Sequence, residues 1–163
     1  MNFHFISKSV DGINIAYHKM VQDGNKRVIN RPNAATVAGR DSLPYRILIA
    51  DDEFLIRWSL EQVLIQDGHY VVTAEDGQKA IEAGRTTVFD FVITDIFMPE
   101  LDGWHVLDTI SRCQPSTRVI IMTAHGESEL GTLAKEKGAF AYVEKPYLIQ
   151  RIKDILKETS TYH

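Results

Sequence analysis

Phe91-Val92-Ile93-Thr94-Asp95-Ile96-Phe97-Met98-Pro99-Glu100-Leu101-Asp102-Gly103 is the stretch from which the rest of the chain can be read. An apolar run ends abruptly at Asp95 and breaks into a loop carrying Pro99 and Gly103. It reads as a buried strand with a carboxylate at its tip, facing a crevice. Aspartate is also a common turn former and helix N-cap, so the flanking segments must decide between the two readings.

Downstream, Gly103 opens a helix with Val106, Leu107 and Ile110 on one face, closed near Gln114-Pro115. Arg118 to Met122 is a strand ending at Thr123. Leu130, Leu133 and Ala134 give the next helix its apolar face, and Gly138 stops it. Phe140 to Val143 is a strand ending at Lys145, and the last helix buries Leu148, Ile152, Ile155 and Leu156 at i, i+4, i+7, i+8.

Upstream, Arg46 to Ala50 is a first strand, followed by Asp51-Asp52-Glu53 and a helix with Ile56, Leu60, Val63 and Leu64 on one side. The aspartate pair is expected to cap that helix. Gly68 ends it, Tyr70 to Ala74 form a second strand, and Asp76-Gly77 leads into a short helix through Ala80, Ile81 and Ala83. The central strand then runs from Phe89 to Thr94. Five strands alternating with five helices imply a doubly wound α/β domain, a parallel sheet with helices on both faces.

That domain is expected over residues 45–159, with a short tail at 160–163. Residues 1–44 read as an extension, flexible or a weak hairpin, followed by linker. Phe3, Phe5, Ile13, Ile15 and Tyr17 alternate, and Asp11-Gly12 and Asp23-Gly24 are hairpin-type turn pairs. Residues 30–42 lack sustained periodicity.

The 163 residues, 44% hydrophobic and 25% charged, suit one domain plus such an extension. A single cysteine, Cys113, excludes an intramolecular disulfide and reads as a packed, inert thiol in a cytoplasmic protein. No apolar run approaches the ~20 residues needed to span a bilayer. Residues 1–44 carry six Lys/Arg against three Asp, leaving 12 against 19 in the remainder. So acidic a domain is a poor nucleic-acid binder, because phosphate contacts need clustered Lys and Arg.

In a sheet of this kind ligands bind beyond the carboxyl ends of the strands, and the polar residues fall there. Asp51 and Asp52 follow the first strand, Asp95 the third, Thr123 the fourth and Lys145 the fifth. Three carboxylates in one cleft repel one another unless a cation favours their charged forms. Oxygen donors without His or Cys suit Mg²⁺, and the six His show no zinc-ligand spacing. Beside such a metal Asp95 is poised as a nucleophile toward phosphorus, giving an acyl phosphate. Lys145 supplies an ammonium and Thr123 a hydroxyl for the dispersed charge of a transferring phosphoryl group.

Asp51-Asp52, Asp95 with Met98-Pro99 and Asp102-Gly103, Thr123-Ala124 and Lys145-Pro146 together make the chain resemble the receiver domain of two-component response regulators, from Tyr45 to Thr159. The resemblance implies a flavodoxin-like sheet of order 2-1-3-4-5. It also implies a histidine kinase or histidine phosphotransfer protein as donor to Asp95, and Mg²⁺ held by Asp51, Asp52, Asp95 and the Phe97 backbone carbonyl. Lys145-Pro146 would be a cis peptide. Thr123 and Tyr142 would be the switch pair, with strand packing as the alternative reading of Tyr142. The face of the fourth helix, fifth strand and fifth helix would meet a protein target, and a phosphorylation-dependent dimer is allowed there. Phe97 and His125 stand where the family tunes water access to the acyl phosphate. Residues 56–60 resemble receivers of the nitrogen-regulation type, and a helix with one partly covered Trp58 reads equally well.

With residues 160–163 after the last helix, output is expected by protein contact, without a DNA-binding domain. Relay intermediate, diffusible regulator and phosphate sink all stay open. A phosphorylation-independent receiver-like binding module is the competing reading. A phosphatase of the haloacid-dehalogenase type, which also forms an aspartyl phosphate, needs a second Asp where this chain has Phe97. A nucleotide site is disfavoured because residues 50–53 lack a glycine-rich phosphate cradle.

Overall fold

The apolar runs of the sequence become a stack of parallel strands because each of them has a covered face on both sides. The computed structural model describes residues 6–10, 13–17, 44–124, 128–145 and 148–160. The chain divides into two units, Met1–Asn30 and Arg31–His163. In the first, β1 (Ile6–Val10) pairs antiparallel with β2 (Ile13–Tyr17), Val10 opposite Ile13. Asp11 and Gly12 lie between them in sequence, the turn pair of the expected hairpin. Asp23-Gly24, residues 30–42 and residues 161–163 fall outside the described residues.

In the second unit the order is β3 (Arg46–Ala50), α1 (Phe54–Gln66), β4 (Tyr70–Ala74), α2 (Gly77–Thr86), β5 (Phe91–Asp95), α3 (Gly103–Cys113), β6 (Arg118–Thr123), α4 (Ser128–Glu136), β7 (Ala141–Glu144) and α5 (Leu148–Ser160). The sheet runs β4-β3-β5-β6-β7, all parallel. Counted within the sheet this is 2-1-3-4-5, so the expected doubly wound, flavodoxin-like α/β fold is the observed one. Strand periodicity divides the core between two faces. Leu48, Ala50, Val92, Val119 and Ile121 pack with Ala80, Ile81, Val106, Leu107 and Ile110 from α2 and α3, and with Ala134 from α4. Ile47, Ile49, Phe91, Ile93, Ile120 and Met122 point the other way, against Leu60 and Leu64 of α1 and Ile152, Ile155 and Leu156 of α5. Each Val, Leu, Ile, Phe or Met side chain among these contributes about 1.5–3 kcal/mol through burial.

Local chemistry sets the ends of the elements. Asp76 caps α2 by accepting from Lys79 N (2.7 Å), and Asp102 caps α3 by accepting from His105 N (2.9 Å). Past α1 and α4 the chain turns through Gly68 and Gly138 at φ 91° and 85°, a region that side chains resist. The central strand begins at Phe91 rather than Phe89, because Asp90 and Phe89 are drawn into side-chain bonds. Asp90 Oδ2 accepts from Arg46 N (2.6 Å), and Phe89 N donates to Gln114 Oε1 (3.0 Å). Buried Gln114 also donates to the carbonyls of Gly84 and Thr87, tying α2, α3 and the start of β5 together.

Two further expectations fail. The aspartate pair does not cap α1. The N-cap position is Glu53, which makes no side-chain cap bond, and Asp51 Oδ1 instead accepts from Glu53 N (2.8 Å). Cys113 is exposed rather than packed: the buried face of α3 runs through Val106, Leu107 and Ile110 to Gln114, and Cys113 lies beside it. Among the described residues no helix is long and apolar enough to cross a membrane.

Candidate phosphoacceptor site

At the carboxyl end of the sheet the strands stop one after another, and each stop delivers a polar residue. Asp51 follows the last ladder residue of β3. Its backbone N–H still reaches Ala74 O (3.3 Å), and its carbonyl accepts from Arg57 Nη1 in the first turn of α1 (2.6 Å). The side chain is fully buried. Burial, only partly offset by the Glu53 N–H and by Lys145, pushes the Asp51 carboxyl above its ordinary value. Asp52, the next residue, is exposed.

Asp95 ends β5 at the centre of the sheet and is 4% exposed. Phe97 N donates to its Oδ1 at 3.4 Å. The loop behind it is fixed at both ends. Ile96 N continues onto Met122 O (3.1 Å), and Gly103 N returns to Ile96 O (2.9 Å). Gly103 is needed here because a Cβ on it would collide with the Asp95 carbonyl. Glu100 sits at φ 64° between Pro99 O and Leu101 N, which are bonded at 2.8 Å in a tight three-residue turn.

Lys145, the first residue past β7, reaches back across the mouth. Its Nζ donates to Asp95 Oδ2 (2.8 Å) and Glu53 Oε1 (2.7 Å) and lies 3.1 Å from Asp51 Oδ2. Burial works against its charge, but the hydrogen bonds to Asp95 and Glu53 and the pull of Asp51 outweigh it. The ammonium is held well above the usual lysine range and stays protonated at neutral pH.

The expected residues therefore come together unequally. Asp51, Asp95 and Lys145 touch, and ligand oxygens of Asp51, Asp52 and Asp95 lie within 4.8 Å of one another. Thr123 ends β6 fully buried, one position past Met122, the register partner of Asp95. Tyr142 lies on β7 opposite Ile121, half-buried against the core of the α2–α3 face, with its ring beside Gly131 of α4. The Phe97 side chain is 56% exposed and Trp58 51%. Pro146, with its expected cis peptide, and His125 fall outside the described residues. Glu53 and Arg57 were not anticipated as site residues; the acidic run at residues 51–53 was the available signal for Glu53.

The donor set fits a hard cation. Its side-chain donors are carboxylate oxygens, and among the described residues buried Asp51 Oδ2 accepts no hydrogen bond and is met by the ion pair with Lys145.

Residues 47–157 match the family model described as the response regulator receiver domain. The chain belongs to this family. The receiver domain is 34% identical over 113 residues to sporulation initiation phosphotransferase F of Bacillus subtilis (strain 168), covering 69% of this chain and 91% of that protein. It is 33% identical over 117 residues to the DNA-binding transcriptional regulator NtrC of Escherichia coli (strain K12), covering 72% of this chain but 25% of that one. The chain thus spans about a quarter of the NtrC relatives it matches. Among solved structures, a receiver domain protein (CheY-like) from Methanospirillum hungatei JF-1 superposes with a TM-score of 0.68 at 26% identity, covering 73% of this chain and 95% of that one. Receiver domains are phosphorylation-dependent signalling switches that typically use Mg²⁺ and work with histidine kinases or phosphotransfer proteins.

Proposed function

We propose that this receiver accepts a phosphoryl group on Asp95 from a phosphohistidine of a histidine kinase or phosphotransfer protein, and signals by protein contact. The observation that carries the reading is the Lys145 ammonium seated 2.8 Å from Asp95 Oδ2 with Asp51 on its other side. An Asp95 oxygen attacks phosphorus as the donor's P–N bond breaks; the imidazole leaves with that electron pair. The product is an acyl phosphate.

Asp51, Asp52, Asp95 and the Phe97 carbonyl are the residues assigned to hold Mg²⁺, which when bound supplies positive charge beside the phosphoryl oxygens. Lys145 stabilises a second oxygen and the Thr123 hydroxyl a third. Asp51 Oδ2, buried and without a hydrogen bond, is the group most in need of the cation. Thr123 and Tyr142 then form the switch, and the α4-β7-α5 face carries the output, to a target protein or a second copy. The likeness over 91% of a protein named as a phosphotransferase supports passage of a phosphoryl group.

The test is intact mass after incubation with acetyl phosphate and Mg²⁺, run beside Asp95→Asn and a sample in EDTA. A gain of one phosphoryl group that requires both Asp95 and metal is the expected result. An equal gain in Asp95→Asn, or none in the native chain with acetyl phosphate or a phosphohistidine donor, overturns the assignment.

A further inference from the structure

An ammonium has three N–H donors and no more. On Lys145 two of them are bonded to carboxylates, Glu53 Oε1 at 2.7 Å and Asp95 Oδ2 at 2.8 Å, and Asp51 Oδ2 packs against the ammonium at 3.1 Å as an ion pair without a hydrogen bond. A phosphoryl oxygen arriving on Asp95 enters this shell of three carboxylate oxygens most directly if one of them withdraws. Asp51 and Asp95 cannot, since they stand at the ends of adjacent central strands with side chains 0% and 6% exposed. Glu53 can. Its side chain is 58% exposed, and although it occupies the N-cap position of α1 it makes no capping bond, so no helix contact holds it.

We propose that Glu53 is a positioning residue for phosphoryl acceptance, an internal occupant of the place on Lys145 that a phosphoryl oxygen takes in the product. In the resting chain its carboxylate completes the shell of the ammonium. On transfer it swings out to water, where an exposed ion pair is exchanged at little cost. Because it is anionic it also competes with any anionic donor at the mouth. This rests on the reading of Asp95 as phosphoacceptor.

The experiment uses the full chain with saturating Mg²⁺, after metal affinity has been measured separately for each variant. Wild type, Glu53→Gln and Glu53→Asp are titrated with beryllofluoride, a non-covalent phosphoryl mimic, and with acetyl phosphate. Gln keeps the reach without the charge; Asp keeps the charge but is one methylene short of Lys145. Both variants are expected to bind beryllofluoride about fivefold more tightly, the most that an exposed ion pair of ~1 kcal/mol allows. Half-saturating acetyl phosphate should fall by a similar factor, with the maximal rate within about twofold. Unchanged or weaker binding in Glu53→Gln overturns the proposal. So does an Asp variant that behaves as wild type while Gln binds tighter, because the charge would then act through its field and not by contact. A wild-type chain that takes neither probe removes the phosphoacceptor reading itself and this proposal with it. Both probes taken, with no difference among the three proteins, removes only the role of Glu53.

Discussion

Replacing Lys145 by Met keeps the length and removes the charge, leaving two nearly water-free carboxylates without their counter-ion. Asp51 and Asp95 have side chains 0% and 6% exposed and lie 3.1 and 2.8 Å from Nζ. Breaking a buried ionic arrangement by deleting one partner costs about 3–5 kcal/mol, because a buried charge is left uncompensated. The third contact adds little, since Glu53 is 58% exposed and screened by water. Urea unfolding at pH 7 in EDTA should therefore show a loss of about 3–5 kcal/mol. The pH dependence follows from Asp51, whose carboxyl burial already raises above its ordinary value and which rises further without the ammonium. A group with a raised folded pKa contributes stability below its unfolded pKa and loses it as pH rises through the folded one. The deficit should therefore be greatest at neutral pH and shrink as acid protonates Asp51. A Lys145→Met protein within ~1 kcal/mol of wild type at pH 7, or one whose deficit grows toward acid, would refute the idea that this ammonium holds the carboxylates together.

Mg²⁺ at a hundredfold excess over its dissociation constant should add about 2.7 kcal/mol at pH 7, and clearly less near pH 4, where protons compete for Asp51; calorimetry with and without EDTA reads both values. Gln114→Leu leaves the carbonyls of Gly84 and Thr87 and the Phe89 N–H without their partner, and at about 1–3 kcal/mol per unsatisfied buried group the loss on urea unfolding should be at least ~3 kcal/mol. Gly103→Ala drives a methyl into the Asp95 carbonyl. It should lower both stability, by about 1–3 kcal/mol, and the rate of phosphoryl gain measured by intact mass; unchanged values of either would mean that the loop gives way freely.

Most of this architecture was legible because its signals are local. Runs such as Ile47-Leu48-Ile49 and Val92-Ile93 can be satisfied only by a sheet covered on both sides, and the Asp, Thr and Lys that end those runs must then meet at one edge. What escaped notice depends on geometry between elements. Glu53 looked like an ordinary helix start, and only the reach of Lys145 across the mouth makes it a site residue. The expected Asp cap of α1 failed because Asp51 is drawn inward by the same ammonium. β5 starts two residues later than its apolar run implies because Asp90 and Phe89 are taken by Arg46 and Gln114, partners 44 and 25 positions away. Cys113 sits beside the stripe that ends at buried Gln114, a position that helical period alone does not separate from the covered face.

The close seat of Gly103 on Asp95 divides the mouth into an anvil and a lever. On one side, the acceptor strand, its loop and the first turn of α3 are in direct backbone contact, so a group added to Asp95 has nothing to push there. On the other, Lys145, one residue past the end of β7, reaches the site with its side chain, and Tyr142, three positions upstream, packs beside Gly131 of α4. Displacement should therefore travel sideways along the sheet toward its β7 edge. Hydrogen exchange would show it as amides of residues 95–107 that keep their protection on phosphorylation while those of α4 and β7 change.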